Sequence, residues 1–179
     1  KRHIVSEGEA TSDMCKEVAL ELLRKSEKKP DEIDLILIAT STPDVPVVST
    51  AALVQDKIGA KNAWGYDIVA ACTGFVYAME TGAKLVESGK YNNVMVIGAD
   101  TMSSIIDYTD RNTCVIFGDG GGGVLLEPSK DDCGILDSIL LTDGSGHKYL
   151  TVPAGGSLRP ANKDTVDNKM HYVYQDGKT

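Results

Sequence analysis

The feature that most limits what this chain can fold into is an alternation of buried-strand and helix patterns. Ile33-Asp34-Leu35-Ile36-Leu37-Ile38-Ala39 is almost continuously apolar, the mark of a strand covered on both faces. Asn93-Val94-Met95-Val96-Ile97-Gly98 repeats it, and Trp64 to Ala70 reads as a third strand. Helices fall between them. Thr11 or Ser12 can cap one whose apolar residues Met14, Val18 and Leu22 recur every four positions. It should end near Lys29, because Pro30 disfavours continuation. Ser49 or Thr50 opens a second, through Ala52, Leu53 and Ile58, closed by Gly59. A third runs from Cys72 to Ser88, with Gly89 at its end. This order predicts an α/β fold, a mostly parallel sheet with helices on both faces. After Thr113, the runs Cys114–Phe117, Gly123–Glu127 and Ile135–Thr142 read as short strands between Gly- and Asp-rich turns. They predict antiparallel additions and so a mixed sheet. From Pro153 to Thr179 the chain reads as loop-like.

Composition narrows the function classes. With 179 residues, 42% hydrophobic and 25% charged, the chain has an ordinary globular profile and the length of one domain. A net charge of −8 argues against nucleic acid, which requires concentrated Lys and Arg. The densest positive stretch, Arg24, Lys25, Lys28 and Lys29, sits at a helix C-terminus, where the dipole accounts for it. No apolar run approaches the roughly 18 residues of a membrane span. The start, Lys1 to Glu7, turns polar at once, unlike a secretory leader, and reads as cut, lacking Met. Cys15, Cys72, Cys114 and Cys133 form no C-x-x-C. Zinc therefore has no support, and reduced thiols in a cytoplasm are expected.

Several signatures fail on context. Gly118-Asp119-Gly120-Gly121-Gly122-Gly123 matches G-x-G-x-x-G, but a strand-like Val124-Leu125-Leu126 follows where a dinucleotide site needs a helix. Close backbone packing or a sharp turn explains it better. Gly89-Lys90 lacks the Ser or Thr of a phosphate loop. Asp67-Ile68-Val69-Ala70-Ala71-Cys72-Thr73-Gly74-Phe75 is different. There a strand runs through small residues into a cysteine, and a helix begins. Its opening residues, Phe75 to Met79, are apolar nearly all round, which predicts a core helix. Cys72 would then sit at a buried helix N-terminus, where the dipole and free N–H groups favour a thiolate nucleophile. Local physics equally allows a small buried core cysteine. Cys15, on a helix face, Cys114, in a strand, and Cys133, in a turn, lack that setting.

Ala70-Ala71-Cys72-Thr73-Gly74-Phe75 resembles the active-site motif of β-ketoacyl-acyl carrier protein synthase III, a thiolase-superfamily condensing enzyme. Ala39-Thr40-Ser41-Thr42-Pro43-Asp44, Ser49-Thr50-Ala51, Thr109-Asp110-Arg111-Asn112-Thr113, Phe117-Gly118-Asp119-Gly120 and Thr142-Asp143-Gly144 fall in the family's order and spacing. The resemblance extends to about Gly156. It implies a thiolase-like fold, with residues 1–156 as the nucleophile-bearing first half of a two-half architecture. Residues 157–179 would be a loop-rich connection toward a missing C-terminal half.

The resemblance further implies a decarboxylating Claisen condensation that starts fatty acid synthesis. Cys72 would be acylated by an acyl-CoA primer, and the enolate from malonyl-acyl carrier protein would then attack the acyl-cysteine. No metal or resident cofactor is implied; acyl-CoA is a substrate. Arg111 matches a CoA-contacting arginine, whose structural alternative is a turn arginine paired with Asp107 or Asp110. Met102 and Phe117 match acyl-pocket positions. Val47-Val48 stands where many members have Phe-Pro. The family's phenylalanine closes the partner subunit's pocket, so Val47 implies room for primers longer or bulkier than acetyl, and a homodimer. His3, His147 and His171 match neither the histidine nor the asparagine that completes the family's triad. Gly121-Gly122-Gly123 replaces an alternation of alanine and glycine at an entropic cost with no obvious return. Superfamily members that make polyketides or quinolone signals share the cysteine and fold, and a non-catalytic half with an assembly role is a further alternative.

Overall fold

In the computed structural model, which describes residues 2–131 and 134–177, the two continuous apolar runs form the central strands of a sheet. β1 (Leu35–Ala39) and β3 (Val94–Asp100) pair in parallel, and β2 (Trp64–Ile68) adds in parallel to the other side of β1. β4 (Gly120–Leu126) pairs antiparallel to β3, giving the order β2-β1-β3-β4. The sheet is mixed and mostly parallel, as expected.

Strand periodicity of two explains the burial of β1 on both faces. Ile36, Ile38, Met95, Ile97 and Ala99 pack with Cys15, Ala19 and Leu23 of α1 (Thr11–Ser26) and Ala51, Val54 and Ile58 of α2 (Thr50–Ile58). Leu35, Leu37, Ala39, Val94 and Val96 face the other way, against Ala78 and Val86 of α3 (Gly74–Glu87). Helix α1 stops earlier than Pro30 requires. Glu27 adopts a left-handed φ of 56° and its N–H bonds to Leu23 O, an αL cap that ends the helix at Ser26. Pro30 instead opens a 3-10 turn, Pro30–Glu32.

The glycine run is strand. Gly120–Gly123 form the first half of β4, and at Gly121 and Gly123 the return is close approach. A Cβ on Gly123 would lie 2.7 Å from Val96 O and 3.1 Å from Val18 Cγ1, and one on Gly121 would lie 3.1 Å from Ala99 Cβ. Helix α1 and β4 thus come together where side chains would keep them apart.

Two compact units divide the chain. The sheet, with α1 to α3, belongs to Val5–Thr101 and Gly120–Leu140. The described residues of Lys1–Ile4, Met102–Asp119 and Leu141–Thr179 make up the other. In this second unit β5 (Leu150–Thr151) pairs antiparallel with β6 (Tyr174–Gln175), and α4 (Lys163–Asp167) lies between them in sequence. The stretch after Pro153 is therefore not all loop: Ala154 N–H bonds Met170 O at 2.9 Å, tying the segment back on itself.

Two expected strands do not form. Residues 111–116 are turns, so Cys114 is a half-buried turn residue. Ile135–Thr142 has no regular structure, and Leu136, Ile139 and Leu141 are 86%, 83% and 80% exposed. Cys133 lies outside the described residues. Among those residues, no helix is long and apolar enough to cross a membrane.

Candidate active site

The carboxyl end of β2 leads directly to the candidate nucleophile. After Ile68 the chain passes Ala70 (φ −147°, ψ 31°) and enters a 3-10 turn, Ala71–Thr73, before α3 begins at Gly74. Ala71 has φ +44°, left-handed backbone that a residue with a Cβ rarely adopts. Thr73 ties the turn down, its N–H and Oγ1 both donating to Ala70 O at 3.2 and 2.9 Å. Cys72 is held at the crest, exposed to solvent. It occupies an early position of the turn, where a backbone N–H has no partner inside the helix. Cys72 is thus not a buried core residue.

Helix α3 is half-buried rather than core. Ala78 and Val86 are buried, whereas Val76 is 52% exposed. Its seat beneath the turn is close-packed: a Cβ on Gly98 would lie 3.0 Å from the Phe75 ring. Phe75 anchors the start of α3 to β3 in this way.

The other cysteines differ in kind. Cys15 is fully buried, and desolvation, reinforced by the charges of Asp44, Asp67 and Asp100, pushes its thiol up to about 12. It stays protonated and unreactive at neutral pH.

Arg111 lies in the second unit on a turn braced by its own carboxylates. Asp107 accepts from Thr109 N–H and Oγ1 at 2.9 and 2.7 Å, and Asp110 from Asn112 N–H and Thr113 Oγ1 at 3.0 and 2.9 Å. Lys169 Nζ meets Asp107 at 2.8 Å. Its ammonium and the Thr109 donors hold the Asp107 carboxyl down to about 2. Neither aspartate pairs with Arg111, which is exposed and makes no ion pair among the described residues. The alternative of a turn arginine paired with Asp107 or Asp110 is therefore not what these residues form.

Met102 starts the 3-10 turn Met102–Ile105, and both it and Phe117 are half-buried. Asp119 fixes that turn, accepting from Ser103 N–H and Oγ at 2.7 and 2.6 Å. Of the residues expected at the site, Cys72 and Val47 belong to the sheet-bearing unit; Met102, Arg111 and Phe117 belong to the other. Val47, on the segment between β1 and α2, is fully exposed with φ +81°. Histidines have local roles: His147 Nδ1 lies 3.2 Å from Gly144 O, and His171 Nε2 lies 3.0 Å from Thr165 Oγ1. No group of three metal-ligating side chains occurs among the described residues.

Sequence reading missed the carboxylates that shape the segment before α2. Asp44, Asp67 and Asp100 each hold groups distant in the chain, by 32, 17 and 60 positions. Only the Thr-Pro-Asp of Thr42-Pro43-Asp44 hinted at a turn-stabilising acid.

Residues 66–144 match the family described as 3-oxoacyl-[acyl-carrier-protein (ACP)] synthase III. A β-ketoacyl-[acyl-carrier-protein] synthase III of Chlorobium chlorochromatii is 57% identical over 99% of this chain and 55% of its own length. Among solved structures, a 3-oxoacyl-(acyl-carrier-protein) synthase III superposes with a TM-score of 0.91 at 25% identity, over 98% of this chain and 56% of the other. That from Aquifex aeolicus VF5 gives 0.85 at 38% identity, over 99% and 52%. The fold is thiolase-like. The chain spans about half the length of the curated relatives it matches.

Proposed function

Because this chain belongs to the β-ketoacyl-[acyl-carrier-protein] synthase III family over the part it spans, we propose that it carries the acylation site of a condensing enzyme that initiates fatty acid synthesis. The observation that supports this reading most is Cys72, exposed at the crest of a strained turn that joins a sheet strand to α3. Backbone strain of this kind collects where a structure over-determines a functional group.

In the proposed reaction, the Cys72 thiolate adds to the thioester carbonyl of an acyl-CoA. The C–S bond to CoA then breaks, CoA leaves as its thiolate, and an acyl-cysteine remains. The Cys72 N–H is the proposed donor to the oxyanion of the tetrahedral intermediate. In the second stage malonyl-acyl carrier protein loses CO2, and its enolate carbon bonds to the acyl carbon as the Cys72–acyl bond breaks. The product is β-ketoacyl-acyl carrier protein, and the thiolate is regenerated. A good leaving group is needed there, which is why a thiol serves better than a hydroxyl.

Arg111 is the proposed contact for the CoA moiety: it makes no ion pair among the described residues and stands on a turn braced by Asp110. Val47, Met102 and Phe117 are proposed to line the acyl pocket. Val47 would work across a homodimer interface, and its short side chain favours primers bulkier than acetyl. We also propose that residues 1–156 form the nucleophile-bearing half, that 157–179 lead on from it, and that the enzyme works in the cytoplasm without a resident cofactor. The test is Cys72 acylation by acetyl-CoA against medium or branched acyl-CoA. Faster acylation by the bulkier primers is expected, and exclusive use of acetyl-CoA would sink the pocket assignment.

A further inference from the structure

The segment between β1 and α2 carries an apolar tip held out at a cost its own residues do not explain. Val47 is 105% exposed with φ +81°, and its neighbours Val45 and Val48 are 48% and 46% exposed. A β-branched residue in left-handed backbone is a genuine outlier. Pro46 precedes it, and proline followed by a left-handed residue is the order of a type II turn, whose third position ordinarily takes Gly. Such a conformation persists only where the surroundings over-determine it.

Three carboxylates supply that constraint. Asp100, ending β3, accepts from Thr40 Oγ1 at 3.1 Å, Ser41 N–H at 2.7 Å and Thr42 Oγ1 at 3.0 Å. Asp67 on β2 accepts the N–H groups of Thr50 and Ala51 at 2.6 and 2.9 Å, which fixes the start of α2. Asp44 lies on the segment itself, three residues before Val47. Its two oxygens accept the Ser12 N–H at 2.8 Å and the Ser12 O–H at 2.5 Å, in the first turn of α1. Ser12 is fully buried, and Lys57 Nζ reaches its Oγ at 2.6 Å while pairing with Asp13 at 2.5 Å. Both flanks of the tip are therefore tied to the core, and only Val45 to Ser49 lie between the Asp44 and Thr50 anchors.

We infer that Asp44, seated through Ser12 and Lys57, is a positioning residue that sets which acyl chains the enzyme accepts by fixing how Val47 projects. The inference rests on the proposed acyl transfer to Cys72 and on Val47 lining the pocket. Asp44 touches no substrate. Removing it frees the flank, Val47 relaxes toward negative φ, and the side chain leaves its place in the pocket wall. Apolar pockets discriminate chain length only through such packing.

The test measures Cys72 acylation of the full chain by acetyl-CoA and by a branched acyl-CoA, together with Tm, in Asp44→Ala, Asp44→Asn and Val47→Gly. Asp44→Ala is expected to change the ratio of the two rate constants about fivefold. Asp44→Asn, which keeps one oxygen for the Ser12 N–H, should change it less. Val47→Gly should move the ratio in the same direction, and the Asp44→Ala/Val47→Gly double variant no further, because both act through one wall. If Asp44→Ala does not fold, Lys57→Met carries the same expectation. A lowered Tm with an unchanged ratio would overturn the inference alone. No acylation of Cys72 in the parent chain would overturn it together with the proposed function.

Discussion

At the scale of single residues, two cysteines of one chain are set apart by their surroundings. Cys72 is exposed on its strained turn, whereas Cys15 is sealed on the inner face of α1 and its thiol is pushed up to about 12. In the native chain at neutral pH, iodoacetamide is expected to alkylate Cys72 and to spare Cys15 until denaturant is added. Peptide mass spectrometry reads this directly, and equal labelling of both would contradict it. Asp107 gives a second prediction. Its folded pKa is depressed from 3.8 to about 2 by Lys169 and Thr109. The stabilisation it provides is present above pH 3.8 and is lost as pH falls through about 2. A Lys169→Met variant should show a shallower loss of Tm between those pH values than the parent. An identical pH profile would show that the pair contributes nothing, as many exposed pairs do.

At the scale of elements, β4 shows why a glycine run can be strand. Gly123→Ala would force a Cβ to 2.7 Å from Val96 O, whereas nothing lies within 4 Å of a Cβ on Gly122. Gly123→Ala is expected to cost about 1–3 kcal/mol and Gly122→Ala almost nothing, read as midpoints of denaturant unfolding. Equal effects would mean that α1 and β4 yield freely. The central strands were legible from sequence because β1 and β3 are apolar on both faces, a local property. β4 was half legible: Gly123 to Glu127 announced a strand, but Gly120 to Gly122 carry no strand propensity. The close neighbours that require Gly121 and Gly123 to be small, Ala99 for one and Val96 and Val18 for the other, lie far off in the chain. The run from Ile135 to Thr142 failed in the opposite way. Its apolar residues suggested a strand, yet a strand needs a ladder partner, and none pairs with it among the described residues. The turn at Cys72 was legible as a strand-to-helix junction, while the strain at Ala71 and the exposure of Cys72 were not. Both depend on how α3 seats through Phe75 against β3.

At the scale of the whole molecule, the chain spans about half the length of its relatives and exposes large apolar side chains, among them Leu136, Ile139, Leu141 and Leu158. Surfaces of this kind associate. Sedimentation of the 179-residue chain is expected to show concentration-dependent self-association; a single monomeric species at all concentrations would contradict it. The family motifs nominated a set of residues for the site, of which Cys72 and Val47 belong to the sheet-bearing unit and Met102, Arg111 and Phe117 to the other. The carboxylate anchors around Val47 were not legible, because hydrogen bonds between distant positions leave no local pattern. The central claim is acyl transfer to Cys72, and labelled acyl-CoA tests it most directly. After incubation and digestion, the account predicts a hydroxylamine-labile acyl group on the peptide that carries Cys72, and none in Cys72→Ala. Acylation confined to another residue, or no acylation in the parent chain, would contradict it.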